Sequence, residues 1–105
     1  MRRGRFAPTP SGPLHLGSLL TAVASWLDAR VGGICLLRID DLDQPRCRPE
    51  HEDAILRALS AFGLDYPQPC LRQSRRGARY AQVVADLARE LPLFHCDCTR
   101  RDFAG

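Results

Sequence analysis

The run Gly32-Gly33-Ile34-Cys35-Leu36-Leu37-Arg38-Ile39, followed at once by Asp40-Asp41-Leu42-Asp43, decides how this chain folds. A stretch of strand length that is apolar at almost every position, rather than at alternate ones, predicts a central strand of a parallel sheet. Upstream, Leu19, Leu20, Val23, Trp26, Leu27 and Val31 recur at helical spacing within Leu16 to Val31, with only Asp28 and Arg30 charged. The pattern predicts a largely buried helix that ends at Gly32-Gly33. Further upstream, Arg3 to Ala7 predicts a short strand, cut off by Pro8 and Pro10, which cannot donate within a ladder. Strand, helix, strand is a right-handed βαβ unit, so the fold class is α/β with a parallel sheet.

Downstream of the acidic loop, Pro49 suits the first position of a second helix, and Glu50, Glu52 and Asp53 sit in its first turn, where the macrodipole favours them. Ile55, Leu56, Leu59 and Phe62 form its apolar stripe and Gly63 closes it. A proline-containing loop from Asp65 to Leu71 leads to a third helix that Ser74 can cap, with Tyr80, Val83, Val84, Leu87 and Leu91 on one side and Pro92 at its exit. Residues 1–92 thus read as one α/β body. Residues 93–105 carry Cys96-Asp97-Cys98, two cysteines at a spacing that suits part of a metal site. Two such cysteines at the end of the sequence point to a longer parent protein.

The composition bounds the functional classes. With 105 residues the expectation is one modest core. No apolar run approaches the ~20 residues that span a bilayer, and Met1-Arg2-Arg3-Gly4-Arg5 leads into prolines rather than a signal-peptide core. A cytoplasmic protein with no membrane partner is the expectation. All 15 basic residues are arginine, which excludes lysine-dependent chemistry such as a Schiff base or a phosphate-loop lysine within this chain. The five cysteines are an odd number without an export signal, so a disulfide framework is not expected. Cys35 reads as a small buried hydrophobe.

Two polar segments follow the predicted strands and therefore share the edge where open parallel sheets bind ligands. In Pro8-Thr9-Pro10-Ser11-Gly12-Pro13-Leu14-His15-Leu16-Gly17-Ser18, prolines stiffen the loop and Gly17 lets another group approach the backbone at the helix start. A helix N-terminus preceded by such a loop is an anion site, to which His15 can donate a hydrogen bond; the bland alternative is a rigid turn with an exposed histidine. Arg38, Asp40, Asp41 and Asp43 close the second strand, where the carboxylates can receive an ammonium group or a magnesium ion, or merely form a solvated loop. Arg5 faces the same edge, and an arginine with an aspartate on one rim recognises a zwitterion. Arg72, Arg75, Arg76, Arg79, Arg100 and Arg101 read equally as a solvated helix face or as a basic surface for nucleic-acid phosphates.

Taken together, Arg5 to Ser18, Leu37 to Arg46, Gly63 to Tyr66, Gln73-Ser74 and Cys96 to Arg100 resemble, in order, segments of bacterial glutamyl-tRNA synthetases and their short relatives, the glutamyl-Q tRNA(Asp) synthetases. The resemblance covers nearly the whole chain. It implies a Rossmann-like class I aminoacyl-tRNA synthetase catalytic domain that activates L-glutamate with ATP and magnesium and passes it to tRNA, with no role for DNA. It implies that Pro8, Gly12, His15, Gly17 and Ser18 form the "HIGH" region on the ATP phosphates, with His15 and Ser18 catalytic. Arg5, Thr9 and Asp40 would hold glutamate, and Cys96 and Cys98 would be the first half of a zinc site. Three departures stand out. Ser18 occupies the fourth "HIGH" position, Asp40 is one methylene shorter than the usual glutamate, and neither the later "KMSKS" lysine loop nor the later residues that complete the glutamate pocket are in the sequence. Gly17 to Ala22 lacks the arginine of the "GGARTAL" run usual in glutamyl-tRNA synthetases. That favours the short branch, which has no anticodon-binding domain and glutamylates the queuosine of tRNA(Asp). The alternatives are a discriminating glutamyl-tRNA synthetase and a non-catalytic nucleotide-binding piece.

Overall fold

The computed structural model describes residues 1–104. Its elements are β1 (Arg2–Phe6), α1 (Leu16–Arg30), β2 (Gly33–Ile39), α2 (Pro49–Ala61), β3 (Leu71–Arg72), a 3-10 turn over Gln73–Arg76, α3 (Gly77–Leu87) and the short α4 (Arg100–Phe103). The strands form a sheet in the order β1-β2-β3. Both pairings are parallel, with Arg5 opposite Leu36 and Arg38 opposite Leu71. The fold is therefore the expected α/β, Rossmann-like arrangement, with β3 added where only a loop was expected.

Constant crossover handedness places α1 and α2 on the same face of the sheet. The core accordingly gathers Phe6 and Leu37 from the strands, Ala22 from α1, Ile55 and Leu59 from α2, and Leu64 from the loop beyond. Along β2, buried Cys35, Leu37 and Ile39 alternate with half-buried Ile34, Leu36 and Arg38. One face of the central strand is covered and the other is largely open, although its sequence reads as apolar throughout.

Helix α1 departs from its predicted burial. It meets the sheet through small residues: Ala22 and Ala29 are 0% and 1% exposed, while Leu20, Leu27 and Val31 are 67%, 55% and 76% exposed. A Cβ on Gly4 would lie 2.9 Å from the Ala29 methyl and 3.1 Å from the Ser25 carbonyl, so the missing side chain on β1 sets how closely the helix sits. Leu20, Leu27 and Val31 thus form an outer apolar face, while Val23 and Trp26 pack half-buried against the core. Helix α3 is similar, since Val83, Val84 and Leu87 are all exposed. Every described residue from 81 onward is exposed, and the radius of gyration is 16.9 Å, against ~13 Å for a compact domain of this length.

The Gly63-Leu64-Asp65-Tyr66 segment is a lock between α1 and α2. Trp26 Nε1–H donates to the Asp65 carbonyl at 2.8 Å. Arg30 stacks 4.5 Å over the Trp26 ring and pairs with the Asp65 carboxylate at 3.7 Å. The Tyr66 ring packs against the core, but its hydroxyl is buried without a partner among the described residues. Burial pushes its pKa up to about 12. Removing the hydroxyl loses no hydrogen bond and relieves a desolvated polar group, so Tyr66→Phe is expected to raise the unfolding free energy by about 1 kcal/mol, read from urea denaturation.

Candidate active site at the C-terminal sheet edge

Because all three strands are parallel, the segments that follow them emerge at one edge, and backbone hydrogen bonds stitch these segments together. Asp40 N–H donates to the Pro8 carbonyl at 3.0 Å, and Arg48 N–H to the Pro10 carbonyl at 3.2 Å. Pro8 and Pro10 are themselves buried. The proline loop is thereby fixed on the acidic loop after β2. Asp41 reaches from that loop to the 3-10 turn, accepting from Ser74 N–H at 2.8 Å and from the Ser74 hydroxyl at 2.6 Å. Ser74 consequently does not cap α3, as its sequence position suggests; Asp41 holds the turn that precedes it.

Burial acts to push the Asp41 carboxyl upward. The two Ser74 hydrogen bonds, a backbone hydrogen bond of its own and the Arg72 charge outweigh that, and hold it below the ordinary aspartate value.

His15 is the N-cap of α1, with an extended backbone, and its ring folds back over the first turn. Ser18 N–H donates to Nδ1 at 3.2 Å, and the Ser18 hydroxyl oxygen lies 3.0 Å from Nε2. A ring that accepts at Nδ1 carries its proton on Nε2 when neutral. Nε2–H therefore donates to the Ser18 oxygen, and the Ser18 O–H is left to donate outward. Gly17 makes this possible, since a Cβ there would stand 3.1 Å from the ring Cε1 and 3.2 Å from Nδ1. The group that approaches the backbone at Gly17 is thus the His15 ring itself.

Asp40 is held by Arg38 in a bidentate pair, Nε to Oδ1 at 2.6 Å and Nη2 to Oδ2 at 3.0 Å, with both side chains about three-quarters buried. That hydrogen bonding, against a smaller opposing effect of burial, raises the Arg38 pKa. Arg5, near the end of β1, is exposed. It lines a cavity of about 220 Å³ with Leu36, Arg38, Gln68, Leu71 and Arg76 on the open face of the sheet. Thr9 is exposed in the proline loop, and Gly12 follows in the same loop. A second cavity of about 220 Å³, bounded by Pro10, Asp41, Cys47, Arg48, Glu52 and Asp53, is acidic on balance and ill suited to phosphates.

Sequence reasoning paired none of these side chains. Arg72, assigned to a basic surface, is bound to Glu52 of α2, and Arg76 lies 5.5 Å over the Tyr80 ring. Arg75, Arg79, Arg100 and Arg101 remain exposed.

Cys96 and Cys98 lie in the exposed segment beyond α3, where His95 Nε2 contacts Asp97 Oδ1 at 2.6 Å. Zinc takes about four ligands in a tetrahedron. No group of three or more metal-ligating side chains forms among the described residues, so this segment offers two thiols toward zinc and not a complete site. No helix is long and apolar enough to cross a membrane among the described residues.

Known proteins resemble this chain over nearly its whole length. Over 103 residues the chain is 53% identical to the glutamyl-Q tRNA(Asp) synthetase of Cupriavidus metallidurans, covering 97% of this chain and 33% of that protein. It is 52% identical to the protein of the same name in Ectopseudomonas mendocina, covering 97% and 35%. The chain therefore spans about a third of the length of these curated relatives. The crystal structure of a glutamate tRNA ligase from Elizabethkingia meningosepticum, in complex with its amino acid, superposes with a TM-score of 0.77 at 37% identity, over 83% of this chain and 19% of that one. The model of the class I tRNA synthetase (E and Q) catalytic domain matches residues 2–103, and that match spans β1, the proline loop, the His15-capped helix, the acidic loop after β2 and the Cys96 segment: the chain belongs to the class I tRNA synthetase (E and Q) catalytic-domain family.

Proposed function

We propose that this chain forms the glutamate- and ATP-binding part of an enzyme that activates L-glutamate as glutamyl-adenylate and transfers it to the queuosine of tRNA(Asp). The observation that carries the reading is the stitched C-terminal edge. Asp40 N–H on Pro8, and Asp41 on Ser74, hold the ends of all three strands in one frame. Arg5, Arg38 and Asp40 lie on one side of that frame, and the N-terminus of α1 opens it on another.

The chemistry follows from charge. A helix N-terminus with Pro8, Gly12 and Gly17 in its approach favours the ATP triphosphate, carried with magnesium. Ser18 supplies a hydroxyl donor there and His15 orients it, stabilising charge that develops on the departing pyrophosphate. Asp40 accepts the substrate ammonium, Arg5 binds a carboxylate, and Thr9, exposed in the proline loop, offers a hydroxyl to the same substrate. Residues 1–92 form the catalytic half. Residues 93–105 begin the zinc-binding insertion, with Cys96 and Cys98 supplying two thiolates when zinc is bound. Bound zinc would hold that segment together through these thiolates. The names of the relatives favour tRNA(Asp) over tRNA(Glu) as acceptor.

The test is a chimera in which this chain replaces the matching third of the Cupriavidus metallidurans relative. Glutamate-dependent ATP–pyrophosphate exchange without tRNA is expected, followed by transfer to queuosine-containing tRNA(Asp) and not to tRNA(Glu). Charging of tRNA(Glu) would assign the chain to ordinary glutamyl-tRNA synthetases, and a folded chimera without exchange would refute the catalytic reading.

A further inference from the structure

We propose that His95 is a nitrogen ligand for the metal ion that Cys96 and Cys98 bind, and that Asp97 orients it; the two thiolates rest on the zinc reading above, and His95 is a further donor beyond them. His95 Nε2 lies 2.6 Å from Asp97 Oδ1. A carboxylate only accepts, so the neutral ring carries its proton on Nε2 and donates it to Asp97. Nδ1 is then unprotonated, and no hydrogen-bond donor reaches it among the described residues. An imidazole that gives one N–H to a carboxylate and keeps its other nitrogen bare has the arrangement of a metal-ligating histidine.

The surroundings give this pair no packing role. Both side chains are 85% exposed, and a polar pair held in water contributes little to stability. The thiols of Cys96 and Cys98 are free and exposed on either side of Asp97. Thiolate and imidazole together suit a thiophilic divalent cation such as zinc, whereas the harder Asp97 carboxylate is already taken up by His95. Three such donors leave one of zinc's about four positions for water or for a ligand from another segment.

The three donors do not converge in this structure. Bringing them together takes backbone rotation between His95 and Cys98, and little opposes it. Among the described residues, no backbone hydrogen bond involves residues 92–98, and all of those residues are exposed. Downstream, Thr99 and Asp102 form a capping box that fixes the start of α4 directly after Cys98, so the rotation is confined to the segment that carries the donors. Binding and ordering then occur together, as they do where a metal site is not preformed.

The experiment titrates the 105-residue chain with Co²⁺ under a phosphine reductant, following the thiolate-to-cobalt and ligand-field absorption, and with Zn²⁺, following the imidazole nitrogen resonances. One metal per chain is expected, with His95 Nδ1 shifting on Zn²⁺ binding and the His15 and His51 rings unmoved. Asp97→Asn is expected to bind about tenfold more weakly, and His95→Ala to lose at least as much and to change the ligand-field bands. Because the segment lies outside the core, the circular dichroism of both variants is expected to match that of the wild type. Unchanged affinity and bands in His95→Ala would overturn the assignment while leaving Cys96 and Cys98 as a zinc half-site. One metal shared between two chains, through four thiolates, would overturn it as well. Wild-type affinity in Asp97→Asn, with binding still dependent on His95, would uphold the ligand and refute its orientation by Asp97. If the wild-type chain takes up neither metal, the three-donor site is refuted.

Discussion

In the chimera, His15→Ala is expected to lower the ATP–pyrophosphate exchange rate by about 10²- to 10³-fold, the cost of losing a preorganised donor at developing negative charge. Adding Ser18→Ala to that variant is expected to cost little more. The reason is the polarity of the contact at the start of α1. Ser18 N–H occupies Nδ1, so Nε2–H must donate to the Ser18 oxygen, and only then is the Ser18 O–H free to point outward. His15 and Ser18 act as one unit, and residues that share a hydrogen-bond network are non-additive. Exchange rates of the two single variants and the double variant complete the cycle. Multiplicative losses would mean that His15 works on the phosphates independently of Ser18. Long-range proton–nitrogen spectra of the wild-type ring give a separate check, since protonation at Nδ1 in the neutral ring would contradict the arrangement.

Local sequence carried the strands and helices well, because their causes are local. The prolines after β1, Pro49 at the start of α2 and the glycines after α1 and α2 act on the backbone where they stand. Burial was less legible. Leu20, Leu27 and Val31 read as part of the buried stripe of α1, but Gly4, Ala22 and Ala29 set a close approach that leaves those three outside, with Val23 and Trp26 half-buried. Strand β3 has only Leu71 and Arg72, too short for any alternation to show, and it exists through its pairing with Arg38 and Ile39.

The site shows the same division. Arg5, His15, Ser18 and Asp40 could be singled out because motif and strand-end position mark them. Their partners could not. Arg38 is two residues from Asp40, but Glu52 and Arg72 are 20 residues apart and Asp41 and Ser74 are 33 apart. No periodicity links such pairs, and each looks like an ordinary surface charge until the chain folds. His15 was read as a free donor for the same reason: histidine is not among the usual helix caps. The Gly17-Ser18 pair beside it was the available signal, since one residue clears space for the ring and the other supplies both contacts.

The Asp41–Ser74 contact carries the second large effect, because it joins the loop after β2 to the turn that bears Arg76. Asp41→Ala removes an ionised acceptor with two hydrogen bonds and is expected to cost about 2–3 kcal/mol of stability at pH 7. Its folded-state pKa lies below the ordinary aspartate value. A depressed carboxylate contributes stability that is fully present above the unfolded value, about 3.9, and is lost as pH falls through the lower folded value. Urea denaturation of both proteins should therefore show a gap that is constant at neutral pH, begins to shrink as pH falls below the unfolded value, and closes at the acid end. A gap that instead widened in acid would mean that Asp41 is destabilising as a carboxylate, with burial outweighing Ser74.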